Sequence, residues 1–360
     1  MLERLKIGAL AGLLAIAVVG MSGFAAVSAQ DATPTGDGTP MAAECVSPGL
    51  PPGTPTPMEE GMEGMDMASP EAGMDVASPE AGASPEAMPM PEAPPLPEGQ
   101  PADEATAAEI DAALTNYVAC LNQGTAAGDP ALYVALESGN FIMESTGTGN
   151  PYDRVASEME GGIGAVTLLG ISNQMTYEDG RVSGDVALVI GDHWATTIRV
   201  LLVQEGDTWL WDEEHFLPAD TSDAESISVV GVAISETTDE STGEVTYAFT
   251  FTGGSTTFTQ VEALVFSVDN TTAVELHEAV VLQLPEGADP MGIFDGSVAF
   301  EDVEFIGAVA PIFPGEIKEL ALVNLEPGIY TMVCFFPGPD GAPHAMNGMI
   351  AQFEIVAPAE

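Results

Sequence analysis

Imidazoles and thiols are few in this sequence, and they are unevenly spread. There are four histidines, His193, His215, His277 and His344, and three cysteines, Cys45, Cys120 and Cys334. The C-terminal run GIYTMVCFFPGPDGAPHAMNGMI concentrates this chemistry, placing the thiol of Cys334, the imidazole of His344 and the thioethers of Met346 and Met349 in one stretch. Thiolate and imidazole are donors for zinc or copper, and thioether sulfur is a soft ligand that selects Cu(I). A second set of thioethers, Met62, Met65 and Met67 with Met58, Met74, Met88 and Met90 nearby, has no histidine beside it and also fits the composition of a low-complexity tract. No nucleophile with its base, phosphate loop or paired-carboxylate motif stands out, which argues against hydrolase and nucleotide chemistry.

The chain that must position these residues has 360 residues, 56 Asp plus Glu against 6 Lys plus Arg, and a formal net charge of -50. Such a charge excludes nucleic acid as a partner, because neutralising phosphates takes a cluster of bases. It disfavours anionic ligands and acidic membranes for the same reason. With 46% hydrophobic residues the chain can still build real cores, and its length suits two domains. Residues 1–30 read as a secretory signal peptide, with Arg4 and Lys6 ahead of an apolar run and small residues, Ala26-Val-Ser-Ala29, at its end. The alternative is an uncleaved anchor; the run is shorter than the roughly 20 residues of a spanning helix. The expected product is a secreted protein, extracellular, cell-surface or periplasmic, without a transmembrane segment in the mature chain. Residues 31–103, rich in Pro, Ala, Glu, Gly and Met and free of Lys and Arg, read as an extended, disordered tether.

Residues 104–220 form the first folded unit. Ile110, Leu114, Tyr117, Val118 and Leu121 recur at helical spacing, predicting a helix over 104–122 that stops at Gly124, and Asp129-Pro130 opens a second short one. Alternating runs follow, joined by turns at Asp179-Gly180 and Gly206-Asp207 and closing on TWLWDEEHFLP. Helices first and an antiparallel sheet afterwards is an α+β pattern, and in element order the segment resembles the NTF2-like, or SnoaL-like, cone fold. That resemblance implies a pocket on the concave face, with His193, Asp212 and His215, and Glu214 beside them, as candidate lining residues. It also implies possible homodimerisation. A histidine with a carboxylate can transfer protons, but a strand-end surface position explains these residues as well.

From 225 to 358 helical periodicity disappears. Seven runs, ISVVGVAI, EVTYAFTF, FTQVEALVFSV, VELHEAVVLQL, IKELALV, GIYTMVCFF and MIAQFEIVA, predict an all-β Greek-key sandwich with a less regular insertion over 287–309. Its closing part, LEPGIYTMVCFFPGPDGAPHAMNGMIAQFEIV, resembles the end of a cupredoxin, the blue-copper family. The resemblance implies copper held by His277, Cys334 and His344 with Met349 as axial ligand, and one-electron exchange with a redox partner the sequence does not identify. If Cys45 pairs with Cys120, Cys334 is the thiol left over for such a role; two free cysteines or an intermolecular bond through Cys45 are the other arrangements.

Three departures set conditions on that reading. Nine residues lie between Cys334 and His344, so FFPGPDGAP must fold back on itself. Glu278 stands where the family has an asparagine that braces the ligand loop, and the expectation is that this brace is lost. Strict alternation puts His277 on the face opposite Val280, Leu282 and Leu284, so the strand must carry a bulge or be buried on both faces. A partial site of His277, His344 and Met349, or zinc on the same histidines and cysteine, is also compatible with the residues. The rival from another class is a metal-free extracellular binding or association module, and a weaker one is an enzyme using His193 or His215.

Overall fold

The computed structural model describes residues 44–51, 98–161, 164–339 and 341–359. The expected signal peptide over 1–30 and the methionines from Met58 to Met90 lie outside the described residues, and among those described no helix is long and apolar enough to cross a membrane. The folded part begins earlier than the tether boundary at 103. Cys45 is disulfide-bonded to Cys120, and Val46 exchanges two hydrogen bonds with the Asn116 side chain. Strand β1 (Gln100–Pro101) pairs antiparallel with β2 (Val166–Thr176). Residues 44–51 and 98–103 of the expected tether are therefore held against the first unit. A disulfide and backbone pairing order residues whose composition alone would not fold.

Helix α1 (Glu104–Ala127) starts where Asp103 accepts the Thr106 N–H at 2.8 Å, and it ends at Gly128, whose φ of 64° is left-handed. It runs through Gly124 rather than stopping there. That glycine is buried for closeness: a Cβ on it would lie 2.8 Å from the Asp129 carbonyl oxygen and 3.0 Å from the Tyr133 ring. Three short helices follow, α2 (Ala131–Val134), α3 (Gly139–Thr146) and α4 (Pro151–Gly161). The sheet then runs as an antiparallel meander of β2, β3 (Val182–Ile190), β4 (Trp194–Glu205) and β5 (Thr208–Leu217). The apolar face of α1 packs on β2 and β3, with Ile110 and Leu114 fully buried.

The C-terminal region is a β-rich sandwich of two layers. Its strands are β6 (Ile227–Thr238), β7 (Val245–Phe251), β8 (Thr257–Thr259), β9 (Ala263–Asp269), β10 (His277–Gln283), β11 (Glu304–Ile312), β12 (Ile317–Val323), β13 (Gly328–Val333) and β14 (Ile350–Val356). One layer has the order β11-β10-β13-β14-β8, and the other is β12-β9-β6-β7. Most neighbours are antiparallel, but β6 runs parallel to β9 and β14 parallel to β8. Two sequence expectations change here. FTQVEALVFSV is not one strand, because β8 belongs to one layer and β9 to the other. The insertion over 287–309 contains a short helix, α5 (Gly292–Asp295), and the start of an unpredicted strand, β11.

The two units share a sheet. β12 pairs with β4 through Ala321 with Ala195 and Leu322 with Trp194, so β1, the meander and one sandwich layer form a single nine-stranded sheet. Gly307 of β11 lies under this junction, where a Cβ would come within 2.7 Å of Leu322 and 3.1 Å of Trp194.

Candidate metal centre

Strand β10 is buried on both faces, and this resolves the parity of His277. Val280 and Leu282 face a small core closed by Ile293, Val298 and Val303 from the insertion, whereas Ala279 and Val281 face the sandwich interior. His277 belongs to the interior set, and the register with β11 shifts between His277 and Ala279. The loop after Cys334 does fold back. Gly338 N–H donates to the Ala342 carbonyl at 2.8 Å and His344 N–H to that of Phe336 at 2.8 Å, making a small hairpin that removes the extra length. At its base, Ala345 N–H donates to the Cys334 carbonyl at 3.0 Å, so His344 enters a short 3-10 turn (His344–Asn347) directly beside the cysteine.

His277, Cys334 and His344 thereby meet, at 0%, 0% and 1% exposure. The two Nδ1 atoms are 3.1 Å apart, and Cys334 Sγ lies 3.5 Å from His344 Nδ1 and 4.0 Å from His277 Nδ1. A triangle with those edges has a centre about 2.1 Å from every corner, the range of metal–imidazole and metal–thiolate bonds, about 2.0–2.3 Å. The donor set and its size fit a transition-metal ion. Met349 is fully buried beside these groups, its backbone carbonyl accepting the Cys334 N–H at 3.3 Å, whereas Met346 is 50% exposed on the turn.

The outer nitrogens of both imidazoles meet carboxylates. His277 Nε2 lies 3.0 Å from Glu236 Oε1, and His344 Nε2 lies 3.1 Å from Glu275 Oε2. A carboxylate on Nε2 leaves Nδ1 as the lone-pair side, aimed at the centre. Burial raises Glu236, but His277 and the N–H groups of Glu275 and Val274 outweigh it and hold its carboxyl below the usual range. The Cys334 thiol is pushed well up, first by burial and then by the charge of Glu278. With no ion it is a neutral core thiol; a metal that replaces its proton can hold it as thiolate.

Glu278 does not cost the site its brace, contrary to the sequence expectation. Its side chain is buried and Oε1 accepts the Phe335 N–H at 2.8 Å, linking the His277 strand to the residue after Cys334. Sequence reasoning also missed Glu236 and Glu275. Glu236 sits in an acidic run that reads as a solvated turn, while Glu275, two residues before His277, was visible in VELHE.

The candidate pocket residues of the first unit keep separate company. The His193 ring contacts the Val323 carbonyl at 3.1 Å through Nδ1 and Glu304 at 3.7 Å through Nε2, at the seam between the units. Asp212 accepts from the Ser138 hydroxyl at 2.7 Å and faces Arg181. His215 lies 3.7 Å from Glu213, and Glu214, pushed up to about 7 by burial, is partly covered on the same strand. The interior beside them holds a charged cluster that the sequence reading assigned to no site. Arg154 Nε donates to Glu137 Oε2 at 3.1 Å and Arg154 also pairs with Glu158, while the Tyr117 and Tyr133 hydroxyls donate to Glu137 and Glu158 at 2.9 and 2.7 Å.

No protein-family model matches the sequence, and no curated protein does. Among solved structures, auracyanin B is similar at 16% identity over 36% of this chain and 88% of that one, with a TM-score of 0.24. Auracyanin A, a blue copper protein from Chloroflexus aurantiacus, is similar at 16% identity over 37% of this chain and 100% of that one, with a TM-score of 0.23. The copper nitrite reductase from Nitrosomonas europaea is similar at 20% identity over 37% of this chain and 42% of that one, with a TM-score of 0.22. A metal centre here stands on its own three donor atoms and their buried surroundings.

Proposed function

We propose that the chain is a secreted copper-binding protein whose C-terminal sandwich holds a type 1-like centre and exchanges single electrons with a partner protein. The observation that carries this reading is the buried triangle of two imidazole nitrogens and one cysteine sulfur, sized for one ion. His277 and His344 present Nδ1, Cys334 supplies the anionic donor, and Met349 is the candidate axial thioether. A copper ion held by this set would supply a one-electron couple. The protein fixes the donors before binding, which keeps rearrangement between the two oxidation states small. Buried surroundings keep water from the donors. Zinc accepts the same histidines and cysteine, and the thioether tips the choice towards copper.

The test is a Cu(II) titration of the purified mature protein followed by visible absorption, with Cys334→Ser as control. The expected result is one ion per chain and an intense thiolate-to-copper band absent from the variant. Binding without the band would mean storage or delivery through histidine and methionine, and no binding would overturn the copper reading.

A second reading concerns the first unit, which we take as NTF2-like from its long helix laid against an antiparallel meander. The filled interior around Arg154 and Glu137 favours an association module, such as a homodimer interface, over a ligand pocket. Sedimentation of the mature protein tests this: a monomer at micromolar concentration would remove the homodimer.

A further inference from the structure

The two carboxylates behind the histidines are not equivalent to the backbone carbonyls or solvent that could also satisfy an outer imidazole nitrogen. Glu236 and Glu275 are linked to each other. Glu236 Oε1, the atom facing His277, also accepts the N–H groups of Val274 at 3.1 Å and Glu275 at 2.8 Å. Glu236 on β6 therefore fixes the backbone that carries the second carboxylate. Glu275 in turn uses both oxygens: Oε2 faces His344, and Oε1 accepts the Tyr247 hydroxyl at 3.1 Å. The Tyr247 ring also stacks on His344, with centroids 4.0 Å apart and planes at 22°. His344 is thus held at its outer nitrogen and covered on a face, and its side chain is 1% exposed.

Resting on the copper reading, we infer that Glu236 and Glu275 are positioning residues that bias this centre towards the divalent ion. Each carboxylate draws the N–H of its imidazole towards itself, making Nδ1 a stronger donor. Each also adds negative charge beside a site that already contains a thiolate. Side-chain exposures of 11% for Glu236 and 25% for Glu275 leave these charges only partly screened by water. The monovalent state carries one positive charge fewer against the same anions, so both effects stabilise Cu(II) over Cu(I). Tyr247 moderates the second carboxylate, because a hydroxyl donated to Glu275 withdraws part of the charge that His344 would otherwise feel.

The test uses the full mature chain loaded with copper, in wild type, Glu236→Gln, Glu275→Gln and Tyr247→Phe. Glutamine keeps the size and an acceptor oxygen while removing the charge; phenylalanine keeps the stacked ring and removes the donor to Glu275. Cu(II) and Cu(I) affinities are measured by competition with chelators of each ion, and the midpoint potential by redox titration. Loss of an outer carboxylate is expected to weaken Cu(II) binding by about 10- to 100-fold. Cu(I) binding should weaken less, so the potential rises by about 59 mV for every tenfold change in the ratio of the two affinities. Tyr247→Phe should shift the potential the opposite way from Glu275→Gln, which a purely structural role for Glu275 does not predict. Unchanged affinity ratios and potentials in both glutamine variants overturn the inference while leaving the copper centre intact. If either glutamine variant does not fold, Tyr247→Phe decides: a potential that is unchanged or rises overturns it. A wild-type chain that takes up no copper overturns the copper reading and this one with it.

Discussion

Replacing Arg154 by methionine tests whether the charged cluster inside the first unit is a structural plug. Glu137 has a fully buried side chain and faces Arg154 at 3.1 Å through Nε and 3.5 Å through Nη2. Burial holds Glu137 above the usual carboxylate range even against the pull of Arg154. At an effective dielectric of about 20, unit charges about 3 Å apart attract by roughly 5 kcal/mol, and removing one partner of such a buried pair typically costs about 3–5 kcal/mol. Glu137 can limit that cost by taking up a proton. Neutralising a carboxyl with an unfolded pKa of about 4.3 costs about 3.7 kcal/mol at pH 7 and about 1 kcal/mol at pH 5. The sign follows from the raised folded pKa: the native variant binds a proton that the unfolded chain releases above about pH 4.3, so its stability falls as pH rises. Arg154→Met should therefore cost about 3–4 kcal/mol at pH 7 and about 2 kcal/mol less at pH 5. Urea unfolding followed by tryptophan fluorescence is the assay, because Trp211 sits 4.3 Å from the Tyr117 ring in the same cluster. The double variant with Glu137→Gln should recover much of the loss and most of its pH dependence. A pH-independent penalty, or a double variant no better than the single, would refute the reasoning.

Glu278→Ala should destabilise the metal-free protein by about 1–3 kcal/mol, because the Phe335 N–H loses its acceptor, while Glu278→Gln keeps most of the stability; urea unfolding separates the two. Gly124→Ala should cost about 1–3 kcal/mol despite the better helix propensity of alanine, since its Cβ meets the Asp129 carbonyl at 2.8 Å; thermal unfolding would show a lower Tm. His193 should stabilise the seam at low pH. The Glu304 carboxylate 3.7 Å away raises its pKa, so its contribution is fully present below the unfolded value of about 6.5 and is lost as pH rises through the folded one. The stability gap between wild type and His193→Gln should close accordingly between pH 6 and pH 9, and an invariant gap would remove the ion pair from the account.

Types and order of the candidate donors were legible because they lie in one closing stretch and on one earlier strand. Their convergence was less so. The FFPGPDGAP loop reads as an obstacle until Gly338 and Ala342 pair and turn its length into a hairpin. The face of His277 depends on a core whose other wall, Ile293, Val298 and Val303, comes from a segment with no clear period of its own. Glu236 was hidden for a related reason: its acidic neighbourhood signals solvent, and only the register of β6 brings it to His277 across 41 positions. In the first unit, Gly124 carries the signal of a helix end but serves close packing against Tyr133. The joining of β4 to β12 leaves no local mark, since it uses only Trp194 and Ala195, the short start of β4 that extends beyond its pairing with β5.

That joining bears on how the protein can be taken apart. The acidic stretch 220–225 invites a cut that would release the sandwich as an independent copper module. Such a cut would strip β4 from Ala321 and Leu322 and expose the edge of β12, with its backbone donors and acceptors unpaired beside buried apolar side chains. A bare edge of this kind seeks another strand, and in a purified fragment the available strand belongs to a second copy. A truncated sandwich should therefore self-associate, and a solubilising change on the edge itself, not a different cut site, is the remedy the topology indicates.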